Sequence, residues 1–190
     1  MVDFVTFLLT KVYQPISISE DIINKAFERM VKDVNYHFPM RSADDIIQSV
    51  QSNQNELAMF LFRLGQELRL ANQPTHHIHW LMKELCALEI YFNNQIDEGF
   101  YVIHGEGTVI GSRNTIGKGF KIHQGCTIGH KVNGRGDGNR IGNDVTMYAN
   151  ASIIGSLSIG NNAVIGAHAL VLENIPENSK VISTAKTRIL

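Results

Sequence analysis

Two hydrophobic periods divide the chain. From Ser17 to about Phe92 apolar residues return every three or four positions, the spacing of one helix face. "SISEDIINKAFERMVKDV" places Ile22, Ile23, Phe27 and Met30 on one stripe behind a candidate N-cap, Ser19. "SADDIIQSVQ" continues the pattern, and "NQNELAMFLFRLGQELRLA" carries it through Leu57, Phe60, Leu61, Leu64 and Leu68. "THHIHWLMKELCALEIYF" begins at a Thr and aligns Ile78, Leu81, Met82, Leu85 and Leu88. Pro39 and Pro74 fall between these segments, where helices stop. The apolar opening "MVDFVTFLL" predicts a first helix or strand. It contains an early acid and no basic leader region, so it does not read as a signal peptide.

After Asn94 the chain counts in sixes. Ile110, Ile116, Ile122 and Ile128 form one run, and Ile141, Met147, Ile153, Ile159, Ile165 and Val171 form another. Glycine often follows the aliphatic position, and small or β-branched residues (Cys126, Val145, Ala151, Ala163, Ala169) often fall four places after it. A six-residue repeat predicts a parallel β-helix, in which three hexads make one triangular coil with the aliphatic side chains stacked inside. Gly and Asn suit its corners, where a positive φ is needed. The fold class predicted is therefore α+β in two parts, an all-α subdomain at 1–93 and a β-helix at 94–176, followed by a tail at 177–190. The polar segment 129–140, "GHKVNGRGDGNR", interrupts the hexads and predicts a loop projecting from a corner.

The count also slips once. Ile96, Val102 and Thr108 form a register displaced by two from the later one. The coil between them is two residues longer than its neighbours. The slip removes His104 from the interior wall and places it at a corner, facing whatever packs beside the prism.

Composition narrows the function classes. The 190 residues are 44% hydrophobic and 18% charged, with 17 basic against 18 acidic side chains, so nothing draws the chain to nucleic acid or an anionic membrane. Cys86 and Cys126 are far apart, without a CxxC motif, which predicts a reduced, cytoplasmic setting. No run is long enough for membrane insertion. His104, His123 and His130 lie within two coils, yet no H-x4-H ligand pair is present, and no metal is expected. His76, His77 and His79 read as solvated helix surface.

The residues from Glu89 to Leu190 resemble the serine acetyltransferase branch of the hexapeptide-repeat acyltransferases. That family reads D-I-H-P-x-x-x-I-G-x-G-x-x-x-D-H-x-x-G-x-V-x-G-E-T where this chain reads "EIYFNNQIDEGFYVIHGEGTVIGSR". Gly99 is in place, His104 falls on the family's catalytic histidine, and the two-residue slip coincides. The resemblance implies a left-handed β-helix, a homotrimer that in some members pairs into a dimer of trimers through the helical half, and acetyl-CoA as cosubstrate. It implies His104 as general base toward an acceptor hydroxyl, a role suited to imidazole near neutral pH. Glu89 falls on the family's acidic partner. Ala149 and Ala167 fall on small positions along the coenzyme groove, with Ala151 close by, and Lys186 and Arg188 are candidates for the coenzyme phosphates.

Departures concentrate where the family grips serine. Ile103 replaces the aspartate before the histidine, Tyr91 and Phe92 replace a His-Pro, and Gly138 and Asn139 replace the loop's His-Pro. With Ile103, Tyr91 and Asn139 as substrate-side residues, the acceptor is serine or, better suited to Ile103, a sugar or other less charged hydroxyl compound. Two further readings stay open: a zinc lyase similar to γ-class carbonic anhydrases, and a non-catalytic β-helix assembly protein.

Overall fold

The computed structural model describes residues 1–14, 16–132 and 135–184. Its helical part runs α1 (Val2–Leu9), α2 (Glu20–His37), α3 (Ala43–Ser52), α4 (Gln54–Leu70) and α5 (His76–Cys86). Helix α2 buries Ile22, Ile23 and Met30 of the predicted stripe together with Ala26 and Val34, while Phe27 is half-buried. Ser42 closes a capping box with Asp45 at the start of α3, and Asn53 caps α4 by accepting from the backbone of Asn55 and Glu56. Ser19 and Thr75 stand at N-cap positions without a side-chain cap bond.

Helix α4 is the central post, with every residue from Glu56 to Gln66 buried. At Gly65 it meets the first β coil. A Cβ there would overlap the Phe92 ring, so the missing side chain lets the aromatic ring press on helix backbone. The same junction holds a buried ion pair. Arg63 donates to both carboxylate oxygens of Asp33 at 2.7 and 2.8 Å, and to the carbonyls of Ile96 and Asp97 at 2.8 Å. Asp33 also accepts from the backbone of Gly99 and Phe100. Two helices and a coil are thereby tied through one desolvated, fully partnered pair.

Strands of two or three residues then wind into three parallel sheets. The first contains β1 (Glu89–Ile90), β4 (Val109–Ile110), β7 (Thr127–Gly129), β10 (Ser152–Ile154) and β13 (Leu170–Val171). The second contains β2 (Gln95–Ile96), β5 (Thr115–Ile116), β8 (Arg140–Ile141) and β11 (Ser158–Ile159). The third contains β3 (Tyr101–Val102), β6 (Lys121–Ile122), β9 (Thr146–Met147), β12 (Val164–Ile165) and β14 (Lys180–Val181). Winding begins at β1, within the stretch whose apolar spacing is still helical, and β14 lies within the stretch read as tail. Each strand contributes one inward residue. Ile90, Ile110, Ile128, Ile153 and Val171 stack at one wall, and all are at most 2% exposed. Cys126, Val145, Ala151, Ala163 and Ala169 fill the corners of the interior.

One corner is closed by an asparagine ladder. Asn94 Oδ1 accepts from the backbone and side chain of Asn114, and Asn114 Oδ1 accepts from those of Asn139. Asn139 Oδ1 accepts from the backbone of Leu157. The segment 129–140 leaves and rejoins the coil at this corner, and Asn139 Nδ2 bridges its base to the Gly129 carbonyl at 3.2 Å.

Candidate active site

His104 lies in the turn after β3 and is exposed. Within the first coil the inward residues Ile90, Ile96 and Val102 are six apart, but the next, Ile110, follows Val102 by eight. The two additional residues are taken up in the turn 103–108. Thr108 Oγ1 secures the end of that turn by donating to the His123 carbonyl at 2.9 Å. The start of the turn is held from the helical part: Asn55 Nδ2 donates to the Ile103 carbonyl at 3.1 Å, and Gly105 N donates to Asn55 Oδ1 at 2.9 Å.

Register places further residues on the same edge. Val102 pairs with Ile122, Ile122 with Met147, and Met147 with Ile165. Two places beyond these inward residues stand His104, Gln124, Ala149 and Ala167. With successive strands about 4.8 Å apart, the two alanines continue the line of His104 along the prism. The backbones of the later coils stay in register, since His168 N donates to the Ala149 carbonyl at 2.9 Å. Ala149 is half-buried and Ala167 exposed, while Ala151 is fully buried as interior filling and does not face the groove.

A column of rings stands beside His104. Its centroid lies 6.0 Å from that of His123, which in turn stacks on Tyr148 at 4.9 Å and 20°. Burial pushes the His123 pKa down, and the neighbouring His104 charge adds to the effect. Ile103 is half-buried on the same outward side. On the other flank, Tyr101 packs its ring against those of His37 and Phe38 at 5.5 and 5.4 Å.

The remaining sequence candidates are dispersed. Glu89, on β1, is held by α5: its Oε1 lies 3.0 Å from His79 Nε2 and its Oε2 3.4 Å from Lys83 Nζ. His79 is thus a half-buried partner of an acid, and His77 is 6% exposed, so the histidine cluster on α5 is not plain solvated surface. Helix α5 ends in a left-handed Ala87, which turns the chain so that β1 runs back past the helix. Tyr91 is exposed beside His79, their rings 5.4 Å apart. Asn139 is fully buried, and both ends of its amide are taken by the ladder and the Gly129 carbonyl. It shapes the loop base and presents no group to an acceptor. Gly138 has φ +83°, and a Cβ there would overlap the Arg113 carbonyl, so no side chain fits where the family has its loop histidine. Lys186 and Arg188 lie outside the described residues.

A cavity of about 540 Å³ opens at the asparagine corner between Arg29, Arg69 and Asn93, away from His104. Among the described residues no group of three or more His, Cys, Asp or Glu is arranged to hold a metal ion. No helix among them is long and apolar enough to cross a membrane.

The residues that sequence reasoning missed are Asn55, Tyr148 and His79. Asn55 is 48 positions from its partner Ile103 and carries no motif. Tyr148 was legible in principle, since it falls one place past the inward Met147 as His123 falls one past Ile122.

No protein-family model matches the chain. A serine acetyltransferase of Helicobacter pylori is 29% identical over 162 residues, covering 77% of this chain and 94% of that protein. One from Staphylococcus aureus is 36% identical over 106 residues, and there the matched segment is 55% of this chain and 50% of the relative. Among solved structures, the Neisseria gonorrhoeae serine acetyltransferase in complex with serine superposes with a TM-score of 0.73 at 25% identity, covering 96% of this chain and 72% of that one. Soybean serine acetyltransferase, at 24% identity and a TM-score of 0.72, shares the fold of helices followed by a left-handed β-helix. In architecture and in sequence, the chain is similar to the serine acetyltransferases, whose fold of helices followed by a left-handed hexapeptide-repeat β-helix it shares.

Proposed function

We propose that this chain transfers the acetyl group of acetyl-CoA to a hydroxyl group of a small acceptor, with His104 as general base. The observation that carries the reading is the exposed His104 in the stretched turn after β3, in line with Ala149 and Ala167 on the same edge. His104 takes the acceptor's hydroxyl proton as its oxygen attacks the thioester carbonyl. The tetrahedral adduct then collapses, the C–S bond breaks, and the departing CoA sulfur takes the proton from the imidazolium. The small side chains of Ala149 and Ala167 leave room for the pantetheine arm. Glu89 is the acid that the resemblance offers to steady the imidazolium. In the single chain its carboxylate is taken by His79 and Lys83, so that role requires a change of partner.

Serine is the acceptor named for the relatives and the first to assay. A second reading, a sugar or another less charged hydroxyl compound, is favoured by the absence of any side chain at Gly138 and by an apolar and aromatic surround of Ile103, His123 and Tyr148. The site is open on the single chain, which suits completion by a neighbouring subunit of a cytoplasmic homotrimer. Thiol release from acetyl-CoA against serine, homoserine and a panel of sugars tests both readings. Transfer to at least one acceptor, lost in His104→Ala, is the expected result. Transfer that survives His104→Ala overturns the general-base assignment, and efficient turnover of serine overturns the preference for a less charged acceptor.

A further inference from the structure

We infer that Asn55 is a positioning residue for His104, an assignment that rests on the general-base reading above. The two-residue slip lengthens the turn, and the Ile103 carbonyl and the Gly105 N–H, on either side of His104, turn toward the helical part. There Asn55 meets both with one planar amide, donating at 3.1 Å and accepting at 2.9 Å. The amide substitutes for a neighbouring strand's peptide, and it brackets the histidine.

The clasp is anchored at both ends. Asn55 sits in the first turn of α4, where its own N–H donates to the cap oxygen of Asn53 at 2.8 Å. Gly105 is buried, and a Cβ added there would overlap the Leu88 side chain, so the loop has little room to shift. The bracket therefore transmits the rigidity of the helical core to a solvent-exposed imidazole. Among natural side chains Asn is suited to this: Leu satisfies neither backbone group, and Asp keeps the acceptor while setting a second anionic oxygen against the Ile103 carbonyl. Ionisable neighbours of the turn are His123, Glu106, the Lys83–Glu89 pair in the cleft beside Gly107 and Thr108, and the Arg41–Glu56 ion pair next to Asn55.

The test compares Asn55→Leu, Asn55→Asp and His104→Ala in the full chain. Acetyl transfer is followed by thiol release, using the acceptor the panel selects, and His104 is titrated by imidazole proton NMR. Asn55→Leu is expected to lower kcat about 10- to 100-fold, the scale of an ångström-level misplacement, with KM for acetyl-CoA little changed. Asn55→Asp is expected to lose less in kcat and to raise the His104 midpoint, because an added carboxylate favours the imidazolium. The acid limb of kcat/KM should move upward with it. A role limited to holding the fold together would lower the unfolding midpoint of Asn55→Leu and leave kcat per folded molecule, and its pH profile, unchanged. Should Asn55→Leu fail to fold, kcat of folded Asn55→Asp, measured above its acid limb, still decides. Wild-type kcat in folded Asn55→Leu, or in folded Asn55→Asp above its acid limb, with His104→Ala inactive, overturns the inference alone. Activity surviving in His104→Ala overturns the base reading beneath it.

Discussion

The ring column beside His104 makes two consequences measurable at single residues. His104→Ala should reduce acetyl transfer by about 10²- to 10⁴-fold, the usual worth of a positioned proton carrier, while thermal unfolding stays within error of wild type, since the ring is exposed. His123 has a different signature. Its folded-state pKa lies below the unfolded value of about 6.5 because burial and the His104 charge disfavour the cation. The unfolded chain thus binds more protons as pH falls below that value, and stability is lost in that direction. His123→Gln should flatten part of the decline in denaturation midpoint between about pH 7 and pH 5. The ring is only partly buried, so the difference is expected to be small. A decline unchanged by the substitution would show that His123 does not contribute.

At the scale of elements, the helical part and the β-helix are joined by groups with no slack. Asp33 accepts from Arg63 and two backbone N–H groups, all within 3.2 Å. Asp33→Ala should cost about 3–5 kcal/mol by stranding the buried guanidinium, read from chemical denaturation, whereas an Asp33→Leu/Arg63→Leu pair should cost less than the sum of the singles. Inside the coil, Asn114→Ala removes the middle rung of the ladder and leaves the buried Asn139 backbone N–H without its acceptor, while Asn94 Oδ1 keeps the bond from the residue 114 backbone. Its expected cost is about 1–3 kcal/mol, and a near-neutral result would mean that water or a backbone shift replaces the rung. These elements differ in how visible they are from sequence. The β-helix was legible because each two-residue strand has one inward position, and that position admits only an aliphatic side chain. The stretched turn was legible for the same reason, as a break in the count beside His104. The clasp by Asn55 and the pairing of His79 with Glu89 were not. Both depend on how α4 and α5 dock on the first coil, which no local period encodes.

For the whole molecule, the line of His104, Ala149 and Ala167 faces outward, and the cavity at the asparagine corner lies away from it. The proposed site, open on the single chain, is expected to be completed by a neighbouring subunit. The protein is expected to sediment at three chain masses, and specific activity should fall on dilution below the assembly's dissociation range. A fully active monomer would exclude a shared site. The architecture was legible in the C-terminal half, where the hexads carry both the fold and the candidate site. It was less so in the helical half, whose compact helices resemble those of many folds until Arg63 and Asn55 are seen reaching the coil.

The bond from Asn139 Nδ2 to the Gly129 carbonyl ties the entrance of the projecting segment to its exit. The coil beneath is thereby complete whatever lies between those two residues. The prism is a chassis, and the chain that leaves it there is seated by Arg113 on the Gly136 carbonyl and by His130 on the Ser112 carbonyl. A side chain exchanged away from those seats is expected to leave the frame that aims the histidine in place.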